Sequence, residues 1–203
     1  MSGSRWLIAL ACVVGDADRA GGIVDRVRDH IKKAPPRKSR FDLNEAIEEL
    51  IVLARSAITK NGVSVKTRLA EGLAPVQGDR VQLQQVVLNL ILNAVEAMST
   101  VEAGAGELLI STEQTQTGGV LVCVRDSGPG IDPDHLDRVF QAFYTTKSSG
   151  VGMGLSICRS IIDAHGGRLW VDMNAARGAV FRFTLPGADK ELTDSLRPAH
   201  LAR

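Results

Sequence analysis

Three cysteines in 203 residues, Cys12, Cys123 and Cys158, leave an odd count and show no metal-ligand spacing. That pattern argues against a zinc module and fits a reducing cytoplasm. Cys123 lies within an apolar run and Cys158 within a helical pattern, so both are expected as small core residues. Excess charge is missing too: the net charge is +1, and Lys and Arg are dispersed, so there is no footprint for nucleic acid. Long hydrophobic runs are absent. The longest, Trp6 to Val14 behind Arg5, mimics a short signal peptide but falls well short of the roughly 20 residues a membrane-spanning helix needs. What remains is 44% hydrophobic and 23% charged, the make-up of a soluble globular domain with some extra chain.

Residues 17–33 place Ile23, Val27 and Ile31 four apart on an otherwise charged segment. This predicts a narrow-striped bundle helix, ended by Pro35-Pro36. Residues 1–37 thus read as a partial helical dimerisation segment and linker, 38–187 as the globular domain and 188–203 as a tail. Asp42 or Asn44 should cap a helix burying Leu43, Ile47, Leu50, Ile51, Ala54 and Ile58. Asn61-Gly62 turns into a strand over 63–69. Asp79 starts a long helix carrying Val81, Leu83, Val86, Val87, Leu90, Ile91 and Ala94. Strands are expected at Leu108 to Glu113 and Val120 to Arg125, joined through Thr117-Gly118-Gly119. A loop-rich stretch then leads to a helix from Met153 to His165. Strands Arg168 to Met173 and Ala179 to Leu185 follow, around a turn near Arg177-Gly178. The expected fold is α/β (α+β), a two-layer sandwich of a mixed, mostly antiparallel sheet with helices on one face.

Four blocks carry the chemistry. Asn89 and Asn93 share one helix face, and two amide oxygens there suit a hard cation bridging phosphates; two capping or solvated polar residues are the plainer alternative. Asp126-Ser-Gly-Pro-Gly-Ile131 sets a carboxylate at a strand end beside a tight turn made possible by Gly128 and Gly130. Such a carboxylate can accept from an exocyclic amine, although Asp-x-Gly-x-Gly alone is more often an ordinary turn. In the block Phe140 to Lys147, two aromatics would clip a loop to the core while Lys147 faces phosphate. Gly150, Gly152 and Gly154 then precede Leu155 and open a helix, where backbone N–H groups favour an anion. The loop from Asp132 to Val151 reads as a lid over a nucleotide.

In this order the blocks resemble the N, G1, F and G2 boxes of the sensor histidine kinase catalytic domain. That domain is similar in turn to gyrase, the Hsp90 chaperones and MutL. The run Gly-Met-Gly-Leu-Ser-Ile-Cys-Arg-Ser-Ile-Ile-Asp-Ala-His-Gly-Gly-Arg-Leu-Trp is especially like the oxygen- and redox-sensing kinases with PAS input domains. The resemblance implies ATP and Mg2+ as cofactors. It implies Asn93 as metal ligand with Asn89 beside it, this pair being the expected catalytic residues. Asp126 would be the adenine partner, with Gly128, Gly130, Ile131, Gly152, Gly154 and Leu155 shaping the pocket, Lys147 on phosphate and Thr184 behind Asp126. Its implied partners are ATP or ADP, the dimerisation and phosphoacceptor helices of its own or a partner kinase, and a response regulator, with a homodimer as the full-length form.

In the chaperone and gyrase branches a glutamate stands four residues before the metal-ligand asparagine; here that place is Asn89, a poor base. Phosphoryl transfer needs positioning and charge neutralisation more than a base, which favours kinase over hydrolase. A sensor kinase also needs an acceptor histidine followed by an acidic residue. Of His30, His135, His165 and His200, only His30 lies on a bundle-like segment, and Ile31-Lys32-Lys33 follows it. The expectation is a kinase domain whose acceptor lies on another chain or segment. An ATP hydrolase, a serine kinase acting on an anti-sigma partner and a non-catalytic nucleotide-binding or dimerisation module are the rival readings.

Overall fold

The computed structural model describes residues 38–99, 106–146, 151–173 and 177–187. The predicted bundle helix with His30, the tail 188–203, and Lys147 and Gly150 in the loop lie outside the described residues.

Helix α1 (Leu43–Lys60) begins where the Asp42 carboxylate accepts from the N–H groups of Asn44 and Glu45. This satisfies two donors that a helix start leaves open. Its buried stripe is Leu43, Ala46, Ile47, Leu50, Ala54 and Ile58. Asn44, the other capping candidate, instead donates to Ala70 O and accepts from the Thr112 hydroxyl. Helix α2 (Arg80–Ser99) is capped by Asp79, which accepts from Val81 and Gln82 N–H. Helix α3 (Gly154–Ala164) ends at His165, followed by Gly166 at φ +70°.

The sheet has the order β2-β4-β5-β7-β6. It is built from β2 (Ser64–Arg68), β4 (Glu107–Gln114), β5 (Val120–Asp126), β7 (Ala179–Leu185) and β6 (Arg168–Met173). Only the β2–β4 pair is parallel; β4–β5, β5–β7 and β6–β7 are antiparallel. Two short strands that the sequence pattern missed, β1 (Ser39–Phe41) and β3 (Val76–Gly78), form a separate antiparallel pair. The three helices bury their apolar sides with Leu108, Ile110, Val122, Val124, Phe181 and Phe183 in one core. A mixed two-layer sandwich is the result, with strands β6 and β7 bounded as the alternation predicts.

Cys158 is a core residue as expected, but Cys123 is not. Strand residues alternate faces, and Val122 and Val124 take the core side. Cys123 therefore turns outward and half-buried, paired across to Ser111 and Arg182.

His165 ties the end of α3 to the start of α2. Its Nε2 accepts from Asp79 N–H at 3.0 Å, so Nδ1 carries the proton and donates to Ile161 O at 2.7 Å. The ring sits so close to Gly78 that a Cβ there would lie 2.7 Å from His165 Cδ2. Replacing His165 by Leu removes both bonds and should cost about 1–3 kcal/mol. Urea unfolding reads this as a lower midpoint, and an unchanged midpoint would refute the bridge.

Candidate functional site

The site is organised along one stripe of α2. Asn89, Asn93 and Ala97 stand at four-residue intervals, so they share a face and span about 12 Å of helix axis at 1.5 Å per residue. At the Ala97 end lies the glycine turn after β5: a Cβ on Gly128 would come within 3.4 Å of Ala97 Cβ. At the Asn89 end lies the first turn of α3, where a Cβ on Gly154 would stand 2.8 Å from Asn89 Nδ2. Asn93 sits half-buried between them. The glycines let two turns approach the same helix face.

Asp126 ends β5 at 4% exposure. Its Oδ1 accepts from Gly128 N–H at 2.8 Å and from Ala179 N–H at 3.2 Å; neither bond uses Oδ2. Burial pushes the carboxyl above its ordinary range, partly offset by the hydrogen bonds from Gly128 and Ala179. The turn before β7 closes over it. Gly178, at φ +92°, passes so near that a Cβ would fall 2.0 Å from Asp126 O. Gly130, at φ +84°, faces Gly178 in turn, with Ile131 packed against the core.

Thr184 does not stand behind Asp126. In the antiparallel register it pairs with Leu121, five residues down β5, or about 17 Å away at 3.4 Å per residue. The residue beside Asp126 on β7 is Ala179, acting through its backbone N–H. Gly178, Ala179 and Cys158 are the site neighbours that sequence reasoning missed. Only the Arg177-Gly178 turn hinted at the first two.

The loop after Ile131 starts with a 3-10 turn, Pro133–His135, capped by Asp132. Phe140 clips it to the domain, edge-on to Phe181 at 6.4 Å, with the Arg159 guanidinium 5.4 Å from its ring centre. Phe143 behaves differently: it is 74% exposed and adopts φ +66°, a region that L-residues seldom enter. Its N–H donates to Gly152 O at 2.9 Å. Gly152, at φ +70°, would bring a Cβ within 2.7 Å of Tyr144 O. The middle of the loop is thus tied to its far end, just before α3. The N-cap residue of α3, Met153, makes no side-chain capping bond, while Leu155 anchors the first turn against the core.

Residues 78–189 match the family described as histidine kinase-, DNA gyrase B-, and HSP90-like ATPase. The sensor protein FixL of Bradyrhizobium diazoefficiens is 42% identical over 94% of this chain and 40% of its own length. The chain belongs to this family as a sensor histidine kinase catalytic domain. Its likeness to the sensor histidine kinase TmoS of Ectopseudomonas mendocina is 36% identity over 91% of the chain and 20% of that protein. The kinase domain therefore spans less than half the length of either relative. The nucleotide-free catalytic domain of histidine kinase ThkA superposes with a TM-score of 0.66 at 38% identity, covering 74% of this chain and 95% of that one. ThkA in complex with the response regulator TrrA gives 0.71 at 32% identity, covering 89% and 51%.

Asp126 carries a testable cost. Its folded pKa is raised, so the folded state holds its proton more tightly than the unfolded chain does. Its contribution to stability is full below the unfolded carboxyl range and is lost as pH rises through the raised folded value. Asp126→Asn should remove that loss, making the empty domain more stable than wild type at neutral pH, with the gap closing in acid. Thermal unfolding from acid to neutral pH checks this, and a variant less stable at neutral pH would contradict it.

Proposed function

We propose that this domain binds ATP with magnesium along the α2 stripe, between the two glycine turns, and passes the γ-phosphoryl group to a histidine on a helical segment outside it. The observation that carries the reading is the approach of two glycine turns, through Gly128 and Gly154, to one α2 stripe with Asn93 midway. In this reading Asp126 Oδ2 accepts from the exocyclic amine of adenine, while Gly130 and Ile131 wall the base. Gly152, Gly154 and Leu155 present the start of α3 to the phosphates, where N–H donors and the helix dipole favour negative charge. Lys147 would add a cation there.

The donor set suits magnesium. Among the described residues no group of three or more His, Cys, Asp or Glu could hold a metal, so the cation would rest on the Asn93 amide oxygen, phosphate oxygens and water, its usual manner with nucleotides. Its chemistry would be neutralisation of phosphate charge. The chain's share of the transfer is then positioning: the bond from the γ-phosphorus to the bridging oxygen breaks as one to an imidazole nitrogen forms, and ADP leaves. Asn89, where a hydrolase of this family would hold a glutamate, cannot take a proton from water, which disfavours the ATPase reading.

We further propose a cytoplasmic site of action, a homodimer in the longer protein and a response regulator as recipient. The ThkA–TrrA complex lends support by likeness. Among the described residues no helix is long and apolar enough to cross a membrane.

Calorimetry with Mg-ATP or Mg-ADP tests the site. Asp126→Asn should weaken binding about 10- to 100-fold, the worth of a hydrogen bond to a charged group, in a variant that stays folded. Unchanged affinity removes Asp126 from the site. Incubating the 203-residue chain with labelled ATP should yield negligible acid-labile, base-stable phosphate, since no histidine has an acidic residue after it. Strong labelling that disappears in His30→Ala would overturn the assignment of the acceptor to another segment.

A further inference from the structure

Resting on the nucleotide-site reading, we infer that Cys158 is a positioning residue, whose sulfur fixes the side-chain amide of Asn89 so that its oxygen is the end offered to the metal–phosphate group. Asn89 Nδ2 donates to Cys158 Sγ at 3.2 Å, short for a bond to sulfur. Cys158 is 0% exposed and lies one α-helical turn after Gly154. Gly154 and Cys158 thus form the two walls of a slot on α3. Gly154 admits the amide because it lacks a Cβ, which would stand 2.8 Å from Nδ2 and 3.1 Å from Oδ1.

An amide has a donor end and an acceptor end, and rotation by half a turn exchanges them. Near a hard cation only the oxygen is useful. A sulfur acceptor on the far side selects the orientation with nitrogen inward. The thiol's own proton points towards Val86 O at 4.0 Å, back onto α2. Partners that orient the groups around a metal commonly matter nearly as much as the ligands.

The test measures ATP affinity of the full 203-residue chain by calorimetry, with magnesium and with the metal chelated. Cys158→Ala and Cys158→Val both remove the acceptor, Ala leaving a small space and Val slightly overfilling it. Each should shrink the magnesium-dependent gain in affinity by roughly 3- to 10-fold, the worth of one ordinary hydrogen bond, with metal-free affinity nearly unchanged. Cys158→Ser, which retains an acceptor, should restore the gain. In an Asn89→Ala background Cys158→Ala should cause no further loss, because coupled residues are not additive. Equal weakening with and without magnesium, failure of Ser to rescue, or additive losses would overturn the assignment while leaving the nucleotide site standing. A wild-type chain that binds no Mg-ATP would overturn both.

Discussion

A carboxylate with almost no access to water sits at the end of a central strand, and the site is arranged around keeping it there. Asp126 can be tolerated because Oδ1 receives two backbone N–H donors, since a buried charge without partners would cost several kcal/mol. Both donors impose conditions on the chain. Gly128 must fold back within 2.9 Å of the carboxylate at its Cβ direction, and Gly178 must pass where no side chain fits. The raised pKa shows that the hydrogen bonds do not fully offset desolvation. An arrangement that works against stability at a strand end is the kind of local conflict that functional sites retain.

Helix α2 supplies the opposite face. It is apolar almost all round, with Leu83, Val86, Val87, Leu90, Ile91, Ala94 and Val95 buried, and it packs between α1, α3 and the sheet. Of its half-buried polar positions, Asn89 and Asn93 fall on the stripe that the glycine turns approach. A helix so enclosed is fixed in rotation by its packing, because a small turn about its axis would bury amides and expose leucines. The fold thus holds the two amides in register with Asp126 without a direct bond between them. His165 serves a related purpose at the far end, locking the end of α3 to the start of α2.

Much of this was legible in the sequence because it follows periodicity and glycine placement. Alternation bounded β6 and β7, and the i, i+4 spacing of Asn89 and Asn93 gave their common face. The short strands β1 and β3 were not legible, as three residues carry no period. Thr184 was misplaced because the resemblance names a position on the last strand, while register depends on pairing across the sheet, which sets Thr184 against Leu121 and leaves Ala179 at the end of β5. Cys123 was misread for a similar reason: in an apolar run such as Val120 to Val124, composition does not say which parity faces the core. The Asn89–Cys158 contact joins residues 69 apart, and only the packing of α3 on α2 brings them together.

The central claim is that the α2 stripe and its two glycine turns form the nucleotide site. Titrating the labelled chain with Mg-ADP while following amide resonances tests it most directly. The largest shifts are expected at the backbone amides of Gly128, Gly130, Ala179, Gly152 and Gly154 and at the side-chain amides of Asn89 and Asn93. Shifts confined to the outer sheet face, at Cys123, Arg125 and Arg182, with Gly128 and Gly154 unmoved, would contradict it.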